Sequence, residues 1–364
     1  MNDQLAAVQQ VVSEWMRRGV TDMKHMVSVM MRKGGAGKST LTLLLTDAFI
    51  RFGLNVLVID MDPQGNSCIG LGSKVRMIPV AARLGKAVEY EPEVNTVVEV
   101  IQSGEAGVAE DAILLVNTQG WQYPMDLPFH RGGPLRPGTI GTVGLIPTHK
   151  GLEDLPGTWK PSDFGRLDNA LNSPSEPGDT PPSHRWDVGL IDTAIARDLG
   201  VQSAKAARKV MFVTNAQKFG VEAIPETMTL VEDVRAHYYH PDIDVMGLVW
   251  NAYSPNQITA RALTADAVQA HEAGEAHWEA PIWPYEIPQY TVVSDSHDMG
   301  APVSAFLGTS EKRKPAARVC QVAEAIALRM LDEMGHPLAG ELRKAWLAAW
   351  PEEEKTAVMT KDVA

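Results

Sequence analysis

Six short apolar runs mark the first 250 residues: MVSVMM at 26–31, NVLVID at 55–60, GTVGLIP at 141–147, DVGLID at 187–192, KVMFVT at 209–214 and DVMGLVW at 244–250. Near-continuous apolar runs of this length predict strands covered on both faces. Apolar residues also recur at helical spacing over 38–52, 96–103, 218–237, 257–273 and 313–334, the last two polar on one side like surface helices. This alternation predicts an α/β fold: a doubly wound, mostly parallel sheet with helices on both faces. No internal repeat of fixed period is present.

Three stretches stand apart from the body expected at 26–334. In residues 1–25, Leu5, Val8, Val12 and Trp15 lie at helical spacing, with Asn2 or Asp3 to cap the start and Gly19 to end it. The polar face of this amphipathic helix is mixed in charge, so packing on the body or a partner subunit is expected over membrane-surface binding. Residues 117–185 hold 11 of the 24 prolines and predict long loops or an insertion around the strand at 141–146. Residues 335–364 predict a helical and then acidic tail with Leu342, Trp346 and Trp350 on or near one face. Its paucity of basic residues favours docking on the body or a partner over membrane binding.

Composition narrows the function. Hydrophobic residues make up 45% and charged residues 21%, values of a globular chain. Cys68 and Cys320 lie far apart without a CxxC, so neither a disulfide framework nor a zinc or iron–sulfur site is expected. With no leader pattern and no run of 18 apolar residues, the expected location is cytoplasmic. A net charge of −12 opposes whole-surface nucleic-acid binding, so any DNA contact must be a local basic patch.

The most informative segment is KGGAGKST at 33–40, between the run at 26–31 and the helix at 38–52. A strand, a glycine-rich turn and a helix N-terminus form an anion cradle, because backbone N–H groups converge there and the helix dipole adds positive charge. Lys33, Gly34, Gly35, Ala36, Gly37, Lys38, Ser39 and Thr40 form the expected phosphate site. Lys38 would reach the β- and γ-phosphates, Ser39 would ligate Mg²⁺, and Thr40 would add a hydroxyl to the α-phosphate. Arg32 stands where the ordinary GxxxxGK[ST] loop has its first glycine. The string instead matches the deviant Walker A pattern KGGxGK[ST], and the chain resembles the ParA/MinD superfamily of P-loop ATPases. That resemblance implies that Lys33 reaches the ATP of a second subunit, coupling ATP to homodimer formation.

Two further runs end in carboxylates. In VLVIDMDPQGN, Asp60 and Asp62 are two apart, on one side of a strand that continues that far. In DVGLIDTA, Asp192 closes an apolar strand, where a carboxylate can hold Mg²⁺ through water. The DxDPQGN string resembles the Walker A′ motif of ParA proteins. It implies that Asp62 positions or activates the attacking water, that Asp60 sits beside Lys38 and the metal, and that Gln64 and Asn66 belong to a sensing loop. Family members continue the Asp192 strand as DTPP; here it reads Asp192-Thr193-Ala194-Ile195, which alters the following loop. Asn251, just after the run at 244–250, has two readings: an adenine-reading amide as in MinD-like members, or a buried or capping asparagine. Ile287-Pro288 begins a segment that resembles the one closing over the base in this family.

The resemblance implies a slow, partner-stimulated ATPase that partitions DNA with a ParB-like protein and binds non-specific DNA, and so is nucleoid-associated. The candidate patch is Lys312, Arg313, Lys314 and Arg318, for which a solvated charged face is the alternative. Gln289 departs from the basic residue that many partition ATPases carry there. Rival readings are the same switch positioning another cargo, membrane binding in the MinD manner, and an ATP-assembled scaffold or filament. A reductase of the nitrogenase iron-protein type is excluded by the missing cluster cysteines.

Overall fold

The computed structural model describes residues 25–73, 75–79, 90–118, 121, 140–155, 159–238, 240–254, 258–276 and 278–349. The helix expected over 2–19, Trp350 and the acidic end of the tail lie outside these residues. The strands are β1 (Met26–Met30), β2 (Val56–Met61), β3 (Met77–Pro79), β4 (Tyr90–Pro92), β5 (Leu114–Leu115), β6 (Val143–Ile146), β7 (Val188–Thr193), β8 (Lys209–Asn215), β9 (Asp244–Tyr253) and β10 (Ile282–Pro288). The helices are α1 (Lys38–Arg51), α2 (Asn66–Gly70), α3 (Val97–Ser103), α4 (Ala106–Asp111), α5 (Arg166–Asn172), α6 (Arg197–Ala206), α7 (Lys218–His237), α8 (Ile258–Glu272), α9 (Thr291–Met299), α10 (Arg313–Glu333) and α11 (Ala339–Ala349).

Eight strands form one sheet in the order β10-β9-β8-β1-β7-β2-β6-β5, parallel throughout except for β5 at its edge. This is the doubly wound, mostly parallel α/β sheet that the alternation of runs predicts. Alternate strand residues face opposite layers. Val27, Val29, Val56 and Val58 join a core built with α1, α10 and α11. Met26, Leu57 and Ile59 face the other side, packing with α3, α5 and α6, while Met30 and Phe212 pack with α7. Burial on both faces explains why the runs read as continuously apolar.

Two differences from the sequence pattern have physical causes. The edge strand β10 was not marked by an apolar run: Trp283, Tyr285 and Ile287 are buried while Ile282, Pro284 and Glu286 between them are less so. An edge position tolerates the proline. Trp283 needs Gly247 opposite it, since a Cβ there would stand 2.2 Å from the indole nitrogen. The proline-rich stretch contains a helix, α5, whose Leu167, Ala170 and Leu171 are buried. The tail helix α11 packs on α10 within the α1 core, burying Leu342 and Trp346.

Behind α1 lies a buried ionic cluster. Asp47 accepts hydrogen bonds from Ser304 Oγ (2.6 Å) and Arg51 Nε (3.3 Å); the other end of Arg51 pairs with Glu324, and Glu324 Oε2 accepts from Trp346 Nε1 at 2.7 Å. The helix that starts at the phosphate loop is thereby tied to the tail.

The rings of His25, just before β1, and His336, before α11, lie 4.9 Å apart between centroids, tilted by 55°. Burial and nearby Arg208 push His25 down to about 4, and burial and His25 push His336 down to about 3. Both rings are neutral when folded and titrate near 6.5 when unfolded, so the unfolded state gains protons first. Stability is therefore full above pH ~6.5 and falls as pH drops towards 4. Chemical denaturation across that range should show His25→Phe flattening the decline; an unchanged slope would contradict the assignment.

Candidate nucleotide site

β1 runs through residues 31–37 into α1. Gly37, at the start of α1, has φ 105° and Gly35 has φ 70°, both in the left-handed region that favours glycine. Gly37, at the N-cap, has no side chain to cap α1, so the first-turn amides keep their capacity for an anion. Lys38 is only 6% exposed, and its Nζ donates to the carbonyls of Met31 (3.2 Å) and Lys33 (3.3 Å). Burial lowers its pKa while the charges of Asp192 and Asp62, close enough to act on the ammonium, pull it back up.

The Asp192 carboxylate arrives from β7, in register with Val29 of β1 on one side and Asp60 of β2 on the other. It is fully buried; Oδ2 accepts from Ser67 Oγ at 2.7 Å, and Oδ1 has no hydrogen-bond partner among the described residues. Burial pushes its pKa up against the pull of the Ser39 and Ser67 hydroxyls and Lys38. An orphaned carboxylate oxygen beside the Ser39 hydroxyl is a fitting donor set for a hard divalent cation. Among the described residues no group of three or more His, Cys, Asp or Glu side chains forms a metal cage.

The two β2 carboxylates differ. Asp60 is fully buried, and its oxygens accept from the backbone N–H groups of Asp62 (3.1 Å) and Cys68 (2.9 Å). Burial and the Asp192 charge raise its pKa. Asp60 thus braces the DPQGN loop, leaving it beside the donor set through its strand neighbour Asp192. Asp62 is half-buried, and its Oδ1 accepts from Gln64 N at 3.0 Å in an Asx turn. Gln64 reaches Glu153 at 3.2 Å, linking this loop to the one after β6.

The loop's opening residues are held from β8 and α7. Arg32 pairs with Glu226 at 2.9 Å, and its N–H donates to Thr227 Oγ1 at 3.1 Å, so the residue replacing the usual glycine anchors the loop to α7. Lys33 Nζ lies 3.4 Å from Asn215 Oδ1 and 5.9 Å from the centre of the Phe219 ring. Phe219 is 71% exposed, and Ile195, exposed in the altered loop after Asp192, lies over Gly34. Asn251, at the end of β9, donates from Nδ2 to Ala36 O at 3.3 Å. Pro288 pairs in register with Tyr253, two residues beyond Asn251, which puts Ile287-Pro288 on the neighbouring strand end.

The fold thus gathers Lys33 to Thr40, Asp60, Asp62, Asp192, Asn251 and Ile287-Pro288 at the carboxyl ends of neighbouring strands. The basic group is elsewhere, at the start of α10. Lys312 Nζ meets Asp295 at 2.8 Å and lies 5.2 Å from the Phe306 ring; Arg313 and Lys314 are exposed and Arg318 is half-buried. Sequence reasoning passed over Ser67 and Asn215. Both carry a signal: a hydroxyl in the first turn after a motif loop, and an asparagine closing a parallel strand.

Comparison with known proteins agrees with this geometry. The model for the CobQ/CobB/MinD/ParA nucleotide binding domain matches residues 27–303. The chain is 22% identical over 287 residues to the chromosome-partitioning ATPase Soj of Thermus thermophilus, covering 78% of this chain and 89% of Soj. It is 45% identical over 284 residues to an uncharacterized protein of Mycobacterium tuberculosis, covering 77% and 74%. Among solved structures, the Cyanothece McdA–ATP complex superposes with a TM-score of 0.55 at 19% identity, covering 82% of this chain and 95% of that one. The match to the family model, over more than half of its length, places this chain in the CobQ/CobB/MinD/ParA family of nucleotide-binding proteins.

Proposed function

We propose that this chain is a Mg²⁺-dependent ATPase that dimerises on ATP and uses hydrolysis to drive DNA partition with a ParB-like partner. The observation supporting it most is the convergence of Lys38, Asp62 and Asp192 on a loop whose helix amides are uncapped. Magnesium bound with the nucleotide would neutralise phosphate charge. Ser39 and the free oxygen of Asp192 would be its donors, and Asp60 keeps Asp62 and the DPQGN turn in place. Lys38 exchanges the Met31 and Lys33 carbonyls for the β- and γ-phosphates. Asp62 orients the attacking water and accepts its proton. Lys33 leaves Asn215 and the Phe219 ring to reach the nucleotide of a second subunit. Asn251 and Ile287-Pro288 frame the base.

Similarity to a chromosome-partitioning ATPase supports DNA as the cargo, with Arg313 and Lys314 as the exposed cations of the patch. A second reading, the same switch carrying a protein cargo, draws on Lys312 being occupied by Asp295. The membrane reading loses Trp346, which is buried, and no described helix is long and apolar enough to cross a membrane. Co-sedimentation with non-specific duplex DNA, and separately with anionic liposomes, tests the choice. Binding to DNA in Mg-ATP but not in ADP, weakening steeply with salt, is the expected result. Binding to neither would replace DNA with a protein cargo.

A further inference from the structure

Asn251 is placed to do more than face a base. Its side chain lies on the phosphate loop itself: Nδ2 donates to Ala36 O at 3.3 Å, and a Cβ on Gly37 would stand 2.0 Å from that same nitrogen. Ala36 and Asn251 are both buried. In a trans peptide the C=O and N–H point in opposite directions. Holding the Ala36 carbonyl towards Asn251 therefore turns the Gly37 N–H to the other side of the peptide plane, away from Asn251.

The strand end that carries Asn251 is unusual. Ala252 has φ 51° and is the one non-glycine residue with positive φ among the described residues. An L-residue visits this region at a steric cost, and such positions persist where the surroundings hold them. Here both flanks are fixed. Asn251 pairs in register with Asn215 of β8, and Gln289 N donates to Tyr253 O at 3.0 Å. The left-handed step between these anchors sets where the Asn251 amide falls.

We infer that Asn251 is a positioning clamp on the phosphate loop, set by the left-handed backbone at Ala252, and that it governs binding of any polyphosphate rather than of adenine alone. This rests on reading the loop as a phosphate site. A base-reading residue affects only ligands that carry the base. A clamp on the 36–37 peptide affects them all.

The test is calorimetric titration of Mg-ATP and of Mg-tripolyphosphate, which has no base. Asn251→Ala should weaken tripolyphosphate by about tenfold, the size of one lost hydrogen bond. Asn251→Asp, whose carboxylate cannot donate to Ala36 O, should do at least as much. Ala252→Val, disfavoured in the left-handed region, should weaken both ligands, while Ala252→Gly should keep wild-type affinity. Hydrogen exchange of a peptide covering 33–41 in nucleotide-free protein should quicken in Asn251→Ala and Ala252→Val. If Asn251→Ala weakens ATP alone and leaves both tripolyphosphate affinity and loop exchange unchanged, the clamp is overturned while the functional reading stands. If wild type binds neither ligand, the functional reading falls and the clamp falls with it.

Discussion

Lys38→Ala is expected to reduce Mg-ATP affinity by at least ~100-fold while leaving the fold intact, as read by calorimetry alongside circular dichroism. The lysine sits in a slot closed by two carbonyls, with the charges of two carboxylates acting on it. Replacing it removes an ammonium whose charge is balanced there by Asp62 and Asp192. A charge-assisted contact to phosphate in a water-poor site is worth roughly 1.5–3 kcal/mol, and the two carboxylates left uncompensated then repel the incoming phosphates as well. Lys38→Arg should not restore binding, because a planar guanidinium is wider than the slot that an ammonium fills. An affinity within tenfold of wild type in Lys38→Ala would mean that the phosphates bind somewhere else.

The largest expected effect on stability is at Glu324. Glu324→Ala leaves Arg51 buried with Asp47 as its remaining carboxylate and removes the acceptor of the Trp346 indole N–H. Breaking a buried pair from one side costs about 3–5 kcal/mol. At 2–4 °C per kcal/mol for domains approaching this size, the midpoint should fall by roughly 10 °C. Glu324→Gln keeps an acceptor for the indole and should lose less. Because Asp47 and Arg51 lie on α1, the same variant should loosen the helix that begins at Lys38, and nucleotide should recover part of the lost midpoint by binding the folded state. A midpoint unchanged within 2 °C would show that the cluster contributes little beyond its packing.

How much of this was visible beforehand varied with burial. β1, β2, β7, β8 and β9 announce themselves because both faces are covered, and the residues at their carboxyl ends are those that the topology gathers around one loop. β10 did not, since Pro284 and Glu286 interrupt a strand that only an edge position permits. α5 was hidden by composition: the prolines at 161 and 182 begin 3₁₀ turns on either side of a short helix, and composition reports the turns rather than the helix. The tail read as amphipathic, but what its apolar face covers depends on Glu324 and Arg51, hundreds of residues apart in sequence. At the site, spacing alone makes the two aspartates look equivalent, and only the family resemblance gave them separate roles. The fold adds a physical difference: the oxygens of Asp60 are taken by backbone amides, while the charge of Asp62 acts on the lysine. The Lys33–Asn215 and Asn251–Ala36 contacts also join distant segments, through strand register that no local pattern reveals.

The central claim, that ATP switches this chain between monomer and dimer through Lys33, is tested most directly by sedimentation velocity in Mg²⁺ with ADP and with a non-hydrolysable ATP analogue. The prediction is a monomer in ADP, a species of twice the monomer mass with the analogue, and a Lys33→Ala variant that binds the analogue yet stays monomeric. A dimer that forms regardless of nucleotide, or a Lys33→Ala variant that dimerises like wild type, would contradict it.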